Sequence, residues 1–416
     1  MRLFVPPVLI AFLVGSASAQ VPQPQTAEEM QAQLDLSAEN LGAFIGANCN
    51  PKSDNFTIYD YTNATIGNLT FIQVGDVNYG YYLFGNDSSD LPPVVLIPGW
   101  TGTIQNWPVP LLQQLAATRQ VLIFDNRGIG YSIDSAPASE LTMETMASST
   151  VDFIAALKLG KADIFGWSMG GEIALTMAVL FPDKVGKIMT IGGDLGGPTD
   201  ISENAPQYVP VLNALSNSSA SDEAFLMRLA ALFPAWLNDT DLPGIGVCNL
   251  MSSFYSLPFD AASGQAIKNQ GVAESAFGNS SAIYDRAANI TNPVLIINGE
   301  EDVSMAPEAA VMIFNQIPGS ILVELPEGGH GSLFSYSANG DDTFAKLLNA
   351  FSASDDPNDA VAEVAGSVGA IYQDKKSASP SPSMSPSPAP VPGPSSSATS
   401  LKALGTLVAA IVAAAC

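Results

Sequence analysis

The sequence predicts an α/β protein in which a mostly parallel central sheet is covered by helices on both faces. Short apolar runs of strand length alternate with longer segments of helical periodicity, and 47% of the 416 residues are hydrophobic. This alternation is typical of parallel strands joined by helical crossovers, and the length suffices for a sizeable core. The predicted strands are an alternating antiparallel stretch at 57–84 and buried runs at 94–97, 120–124, 187–191, 293–298 and 320–325, with one more that begins at Ala162.

The charge balance excludes several classes of function. The chain carries 40 acidic and 15 basic residues, which gives a formal net charge of −25. Such a surface disfavours binding to nucleic acid or to an anionic membrane through a basic patch, so we expect neither partner. With a single histidine and three cysteines, the sequence offers no metal-ligand cluster of the zinc type, and we expect no metal and no other cofactor.

Both ends of the chain carry targeting patterns. Residues 1–19 combine a basic start, an apolar run and an Ala-x-Ala ending, which predicts a cleaved secretory signal peptide. At the other end we expect a Ser/Pro-rich linker over 353–400 and a hydrophobic signal for a glycosylphosphatidylinositol (GPI) anchor over 401–416. A short C-terminal membrane tail is the alternative for that last segment. The sequence therefore predicts an extracellular or cell-surface protein, held at the membrane only by a lipid anchor or by this tail.

The region after the signal peptide is consistent with an oxidising compartment. Residues 20–54 form a predicted N-terminal extension, in which Thr26 and Glu29 make a capping box at the start of a helix. Cys49 and Cys248 are the two cysteines that remain once the tail is removed, so they are a candidate disulfide. Eight glycosylation sequons also favour secretion: Asn55, Asn63, Asn68, Asn86, Asn217, Asn238, Asn279 and Asn289.

The clearest catalytic pattern surrounds Ser168, which lies between a short buried strand and an Ala/Leu/Met-rich helix. Gly166 and Gly170 flank it at a distance of two residues, as a sharp strand-to-helix turn requires. Such a turn lifts the hydroxyl out of the sheet and directs the backbone N–H of Met169 toward an oxyanion that forms there. A chance match in a chain rich in glycine and serine is the alternative interpretation, and the flanking strand and helix argue against it.

With this turn, the chain resembles the α/β-hydrolase superfamily, and specifically its serine-nucleophile members with a helical cap. The resemblance implies a hydrolase core over 55–195 and 291–352, interrupted by a helical cap over 196–290. In this last region the strand patterns give way to helical spacing broken by prolines. The resemblance also implies that Trp100 gives the second oxyanion N–H, although Pro98 replaces the histidine that is usual before it in the family.

The remaining catalytic candidates follow the cap. His330 is the only histidine of the chain and lies in a glycine-flanked loop after the last predicted core strand. An imidazole can take the proton of a serine nucleophile and return it to a leaving group. The resemblance implies that Asp302 is the carboxylate that orients this imidazole, and Asp194, after the strand that follows the serine helix, is the alternative acid. The order Ser168, Asp302, His330 is the nucleophile–acid–base order of the family.

The resemblance implies a hydrolase that forms an acyl-enzyme on a carboxylic ester or a similar small, partly apolar acyl substrate, and the targeting patterns predict that it is extracellular. Aminopeptidase-, lactonase- or haloperoxidase/perhydrolase-like activity on the same triad is an alternative, because the order of cap and core does not separate these chemistries. A catalytically silent surface receptor with this fold is a third interpretation, which the complete set of three side chains disfavours.

Overall fold

A computed structural model describes residues 26–49, 66–136, 140–200, 209–216, 222–233, 246–250, 264–338 and 340–375. The strands are β1 (Thr70–Val74), β2 (Val77–Gly85), β3 (Val94–Ile97), β4 (Gln120–Phe124), β5 (Ile133–Asp134), β6 (Asp163–Trp167), β7 (Ile188–Ile191), β8 (Val294–Gly299), β9 (Ile321–Leu325) and β10 (Ile371–Asp374). The helices are α1 (Ala27–Asn48), α2 (Val109–Ala116), α3 (Met143–Ala156), α4 (Met169–Leu180), α5 (Val209–Ser216), α6 (Asp222–Leu232), α7 (Gly264–Gly278), α8 (Tyr284–Ala287), α9 (Pro307–Gln316), α10 (Ser332–Ser335), α11 (Thr343–Ala353) and α12 (Asn358–Ser367). A further helical segment lies at 246–250.

The strands form one mixed sheet in the order β1-β2-β4-β3-β6-β7-β8-β9-β10, with β5 paired to β2. The pairs from β4 through β9 are parallel, while β1, β2, β5 and β10 pair with their neighbours in antiparallel fashion. Every residue of β3, β6, β7 and β8 is buried, as expected for strands covered on both faces. The predicted α/β architecture is confirmed, including the antiparallel strands that precede the parallel core.

The pleat of the strands divides the buried side chains into two cores, one on each face of the sheet. In β3, Val94 and Leu96 belong to one core, whereas Val95 and Ile97 belong to the other. This alternation is the period of two that a strand imposes on its side chains. The four consecutive apolar residues of β3 are therefore explained by helices on both sides of the sheet.

Residues 26–49, the described part of the N-terminal extension, pack against the rest of the structure. Thr26 caps α1, where its side chain accepts from the backbone N–H of Glu29 and the Glu29 carboxylate accepts from the backbone N–H of Thr26, so the predicted capping box is confirmed. Helix α1 packs against the cap helices α5 and α6. Cys49, directly after α1, forms a disulfide with Cys248 across a sequence separation of 199 residues. The extension is thus covalently joined to the cap.

The regular secondary structure in the described part of the cap region is helical. Helices α5, α6, α7 and α8 fall within the predicted limits 196–290, and the described part of that region contains no strand. Four of the predicted sequons, Asn68, Asn86, Asn279 and Asn289, are described, and all four have exposed side chains. The sequons at 55, 63, 217 and 238 lie outside the described residues.

One predicted boundary is wrong. The linker expected over 353–400 does not begin at residue 353, because α12 packs on α11 and β10 adds an antiparallel strand to β9. A strand of only four residues, of which Gln373 and Asp374 are polar, carries little signal in sequence, and here pairing with an existing sheet edge supplies the backbone hydrogen bonds. The rest of that linker, the signal peptide at 1–19 and the tail at 401–416 lie outside the described residues. No described helix is long and apolar enough to span a bilayer.

Candidate active site

The turn at Ser168 has the strained geometry that its sequence predicts. Ser168 connects β6 to α4 with φ 57° and ψ −127°, a left-handed φ that non-glycine residues rarely adopt. A Cβ at Gly166 would overlap the carbonyl oxygen of Gly170, and a Cβ at Gly170 would overlap the carbonyl oxygen of Ile97. Both glycines are therefore required by the close approach of strand, turn and helix. Ser168 is the one residue of this turn, between the buried Trp167 and Met169, that is not fully buried.

His330 and Asp302 form a buried pair at the ends of neighbouring strands. The Nδ1 atom of His330 lies 2.8 Å from Oδ2 of Asp302, and the two residues are 4% and 2% exposed. The other carboxylate oxygen, Oδ1, accepts from the backbone N–H groups of Ser304 and Met305 at 2.9 and 2.8 Å. These two bonds orient the carboxylate so that Oδ2 faces the imidazole. The arrangement favours a proton on Nδ1 and leaves Nε2 as the basic atom.

The imidazole is held from the side of the serine turn. The indole N–H of Trp167, the residue before Ser168, donates to the carbonyl oxygen of His330 at 3.0 Å, and the two rings lie 5.9 Å apart. Gly192 follows β7 with φ 57°, and a Cβ there would lie only 2.9 Å from Nδ1 and Cε1 of the imidazole. Since the backbone N–H of Ser168 donates to Ile191, the residue before this glycine, serine and imidazole border the same loop.

In the described part of the structure, the Ser168 hydroxyl is not hydrogen-bonded to the His330 ring. In enzymes without substrate, catalytic hydrogen bonds are often long and tighten only when substrate binds. The structure thus brings the predicted serine, acid and base to one edge of the sheet, and it joins the acid to the base directly.

The loop after β3 lies against the serine on its other side. A Cβ at Gly99 would lie 3.0 Å from Cβ and 3.6 Å from Oγ of Ser168. Trp100 follows this glycine, and Met169 is the first residue of α4. Within the described part of the chain, neither backbone N–H donates to a protein acceptor. The N–H of Met169 lies at a helix N-terminus, which carries partial positive charge, and the N–H of Trp100 lies in the loop that contacts the serine. Two N–H donors placed beside a nucleophile in this way are suited to bind an oxyanion.

The alternative acid is placed differently. Asp194 follows β7, and its Oδ1 accepts from the backbone N–H of Gly196 at 2.7 Å. This contact is local and belongs to the tight loop at the start of the cap. The carboxylate beside the imidazole is that of Asp302, so the geometry favours Asp302 over Asp194.

Contacts from the cap complete the surroundings and were not anticipated from the sequence. The buried Gln270 on α7 accepts from the backbone N–H of Thr101 at 2.9 Å through its Oε1 atom. Near the end of α6, the carbonyl oxygens of Ala231 and Leu232 accept from Ser304 at 3.3 Å and from Gly331 at 2.8 Å. A partner 169 residues away, as Thr101 is from Gln270, leaves no local signal in the sequence. Among the described residues, no group of three or more His, Cys, Asp or Glu side chains is placed to hold a metal ion.

The fold and the site define the class of protein. Residues 92–335 match the family model of the alpha/beta hydrolase fold, and the chain belongs to this family. Among relatives of known sequence, BpoC of Mycobacterium tuberculosis, named as a candidate non-heme bromoperoxidase, is 26% identical over 253 residues, which are 60% of this chain and 90% of BpoC. A 2-hydroxy-6-oxononadienedioate/2-hydroxy-6-oxononatrienedioate hydrolase of Dechloromonas aromatica is 23% identical over 282 residues, which are 66% of this chain and 93% of the relative.

Solved structures show the same fold. An alpha/beta hydrolase fold protein from Chitinophaga pinensis superposes with a TM-score of 0.54 and 27% identity, covering 67% of this chain and 94% of its own. The enol-lactonase from Burkholderia xenovorans LB400 superposes with a TM-score of 0.52 and 21% identity, covering 68% of this chain and 100% of its own. The family and its relatives support a role as a hydrolase.

Proposed function

We propose that this protein is an extracellular serine hydrolase that acts on carboxylic esters through an acyl-enzyme. The observation that carries the proposal is the strained Ser168 turn beside the buried, carboxylate-oriented imidazole of His330. The residue with the strained backbone is also the proposed nucleophile, and such strain is common at functional sites.

In the proposed reaction, Nε2 of His330 removes the proton of Ser168 as Oγ attacks the carbonyl carbon of the ester. The N–H groups of Trp100 and Met169 donate to the oxyanion that forms, and removal of one such donor typically costs on the order of a hundredfold in rate. The imidazolium then gives its proton to the leaving alcohol, and the C–O bond to that alcohol breaks. Water, activated by the same imidazole, releases the acid and restores Ser168.

Asp302 acts through His330 in this scheme. Its Oδ2 atom accepts from Nδ1–H at 2.8 Å, which holds the tautomer with a basic Nε2 and stabilises the imidazolium. Because the carboxylate is buried and anchored by two backbone N–H groups, it does not reorganise during the reaction.

The proposed substrate is a small, partly apolar acyl compound, and the proposed location is the cell surface. The C-terminal part of α6 and the residue that follows it present buried apolar side chains, and Phe233 packs edge-on against Phe334 with ring centroids 6.0 Å apart. This aromatic pair lies next to the His330 loop, since a Cβ at Gly331 would overlap the Phe233 ring. The predicted signal peptide, the predicted GPI-type tail and the exposed sequons support the proposal of an extracellular, lipid-anchored protein.

Labelling with a fluorophosphonate probe tests the nucleophile. We expect the full-length glycosylated protein to be labelled, the Ser168→Ala variant to be unlabelled, and the Ser148→Ala variant on α3 to be labelled like wild type. A folded wild-type protein that resists the probe would contradict the proposal and favour the silent receptor.

A substrate panel tests the reaction class. We expect p-nitrophenyl esters to be turned over faster than aminoacyl anilides or lactones. We also expect ester turnover to be faster than the formation of peracid from acetate and hydrogen peroxide. Labelling of Ser168 without ester turnover would favour one of these other chemistries on the same triad.

Release of the protein from intact cells by a phosphatidylinositol-specific phospholipase C tests the anchor, and retention after that treatment would favour a membrane tail.

A further inference from the structure

A buried amide from the cap lies beside the candidate oxyanion loop. Gln270 is 0% exposed, and one end of its amide contacts the backbone N–H of Thr101 at 2.9 Å. Because Thr101 offers a donor, only the amide oxygen can face it, and this fixes the orientation of the whole group. The amide nitrogen Nε2 is therefore turned away from Thr101.

Two N–H donors at this contact have no acceptor among the described residues. One is Nε2 of Gln270 and the other is the indole Nε1 of Trp100, and both atoms are buried. The two residues belong to the same packing contact, since a Cβ at Gly271, the neighbour of Gln270, would lie 3.7 Å from that Nε1. Buried donors almost always have a partner, so two donors in one packing contact, with no acceptor among the described residues, indicate that an oxygen atom from elsewhere completes the contact.

The donors lie close to the reacting serine. Trp100 directly follows Gly99, whose Cα faces the Ser168 side chain, and Thr101 is the next residue. Two residues of chain span at most about 7 Å, so Thr101, and with it the amide of Gln270, is held on the loop that contacts the serine turn. Thr101 itself has φ 57°, and its bond to Gln270 holds this uncommon conformation in place.

We propose that Gln270 is a specificity-determining residue, whose Nε2–H donates, together with the Trp100 indole N–H, to an oxygen acceptor on the acyl part of the substrate. The preferred substrate is then an ester whose acyl chain carries a carbonyl, hydroxyl or ether oxygen a few bonds from the scissile carbonyl. The proposal rests on the proposed function, because it concerns the substrate of that same site.

A matched set of esters tests the proposal. The probes are p-nitrophenyl hexanoate and its analogues in which an ether oxygen replaces one methylene at successive positions of the acyl chain. We expect wild type to prefer the analogue with oxygen at one position by about fivefold to twenty-five-fold in kcat/KM, because each of the two neutral hydrogen bonds is worth about fivefold. We expect the Gln270→Met variant to lose most of this preference, because only the indole donor of Trp100 then remains.

The control comes from the same helix. Gln265 on α7 is exposed, and its amide bonds only to Asn269 nearby, so Gln265→Met makes the same chemical change away from the loop. We expect this control to keep the wild-type ratio. If Gln270→Met fails to fold, Gln270→Glu replaces it, because a carboxylate keeps an acceptor for Thr101 and lacks the N–H donors. The Trp100→Phe variant removes the indole donor alone and should lower the preference by part of the full amount.

The outcomes separate this inference from the proposed function. A wild type that shows no preference at any position, or a preference that survives undiminished in both Gln270 variants, would overturn the role of Gln270. In either case, fluorophosphonate labelling of Ser168 and turnover of the hexanoate ester would remain, and the proposed function would stand. Loss of labelling in wild type would instead remove the proposed function and this inference with it.

Discussion

Replacement of Asp302 by asparagine is the sharpest test of the proposed triad. In the native structure, Oδ1 of Asp302 accepts two backbone N–H bonds, from Ser304 at 2.9 Å and from Met305 at 2.8 Å. These donors require an oxygen at that position, so the new amide nitrogen must occupy the position of Oδ2, which faces Nδ1 of His330 at 2.8 Å. The amide would then donate to Nδ1 and force the imidazole proton onto Nε2. In that tautomer Nε2 cannot accept the proton of Ser168.

The expected loss follows from this change of tautomer. In a serine hydrolase of another fold, the corresponding substitution lowers kcat by about 10⁴-fold, and four factors of ten at 1.36 kcal/mol each amount to about 5 kcal/mol of transition-state stabilisation. The assay is kcat for a p-nitrophenyl ester, with burst kinetics to follow acyl-enzyme formation. Asp194→Asn is the matched control, and we expect it to keep kcat within about threefold, since its carboxylate bonds to the cap loop at Gly196. An Asp302→Asn variant that keeps a tenth of wild-type kcat would refute the reasoning. An Asp194→Asn variant whose kcat falls as far as that of Asp302→Asn would refute it as well.

Three further predictions concern stability. Gly166→Ala should lower stability by about 3 kcal/mol or more in thermal unfolding, because its Cβ would overlap backbone atoms of α4. Gly366→Ala on α12 is the control and should raise stability slightly, since no atom lies within 4 Å of its Cβ. Equal effects of the two substitutions would contradict the steric argument. Cys248→Ser should destabilise the protein by about 2–5 kcal/mol in urea unfolding, the range typical of losing a native disulfide, and an unchanged midpoint would contradict a role for this one. Burial, followed by the charge of Glu300, raises the pKa of Glu324. The stabilisation from a raised carboxyl pKa is present at low pH and is lost as the pH rises through the folded-state pKa. Glu324→Gln should therefore raise Tm at pH 8 and leave it unchanged at pH 4. The reverse pattern would contradict a raised pKa for Glu324.

The central fold could be predicted because its signals are local. Strands buried on both faces, such as β3 and β8, appear in sequence as continuous apolar runs, and the glycines around Ser168 report a turn that only small residues permit. The position of Asp302 follows from the same logic, since parallel strands place their carboxyl ends at one edge of the sheet. The pairing of Asp302 with the imidazole needed only the strand order and the resemblance to the family.

What the sequence did not reveal depends on contacts between distant segments. The strand β10 is four residues long, and its pairing with β9 decides that it is a strand. The bond between Gln270 and Thr101 joins residues 169 positions apart, and neither residue type has a catalytic pattern around it. The packing of Gly192 against the imidazole is a similar case, because a single glycine after a strand is more often part of an ordinary turn.

These distant contacts imply that the cap is part of the candidate site rather than a separate cover. The cap touches the acid loop through Ala231 and Ser304, the base loop through Leu232 and Gly331, and the oxyanion loop through Gln270. Each contact lies within two residues of a proposed catalytic group, so a shift of the cap would move acid, base and oxyanion donor relative to Ser168. Displacements of about an ångström are enough to cost two orders of magnitude in rate. The disulfide and the packing of α1 against the cap helices therefore help to hold the cap, and we expect them to stabilise the geometry of the proposed site as well.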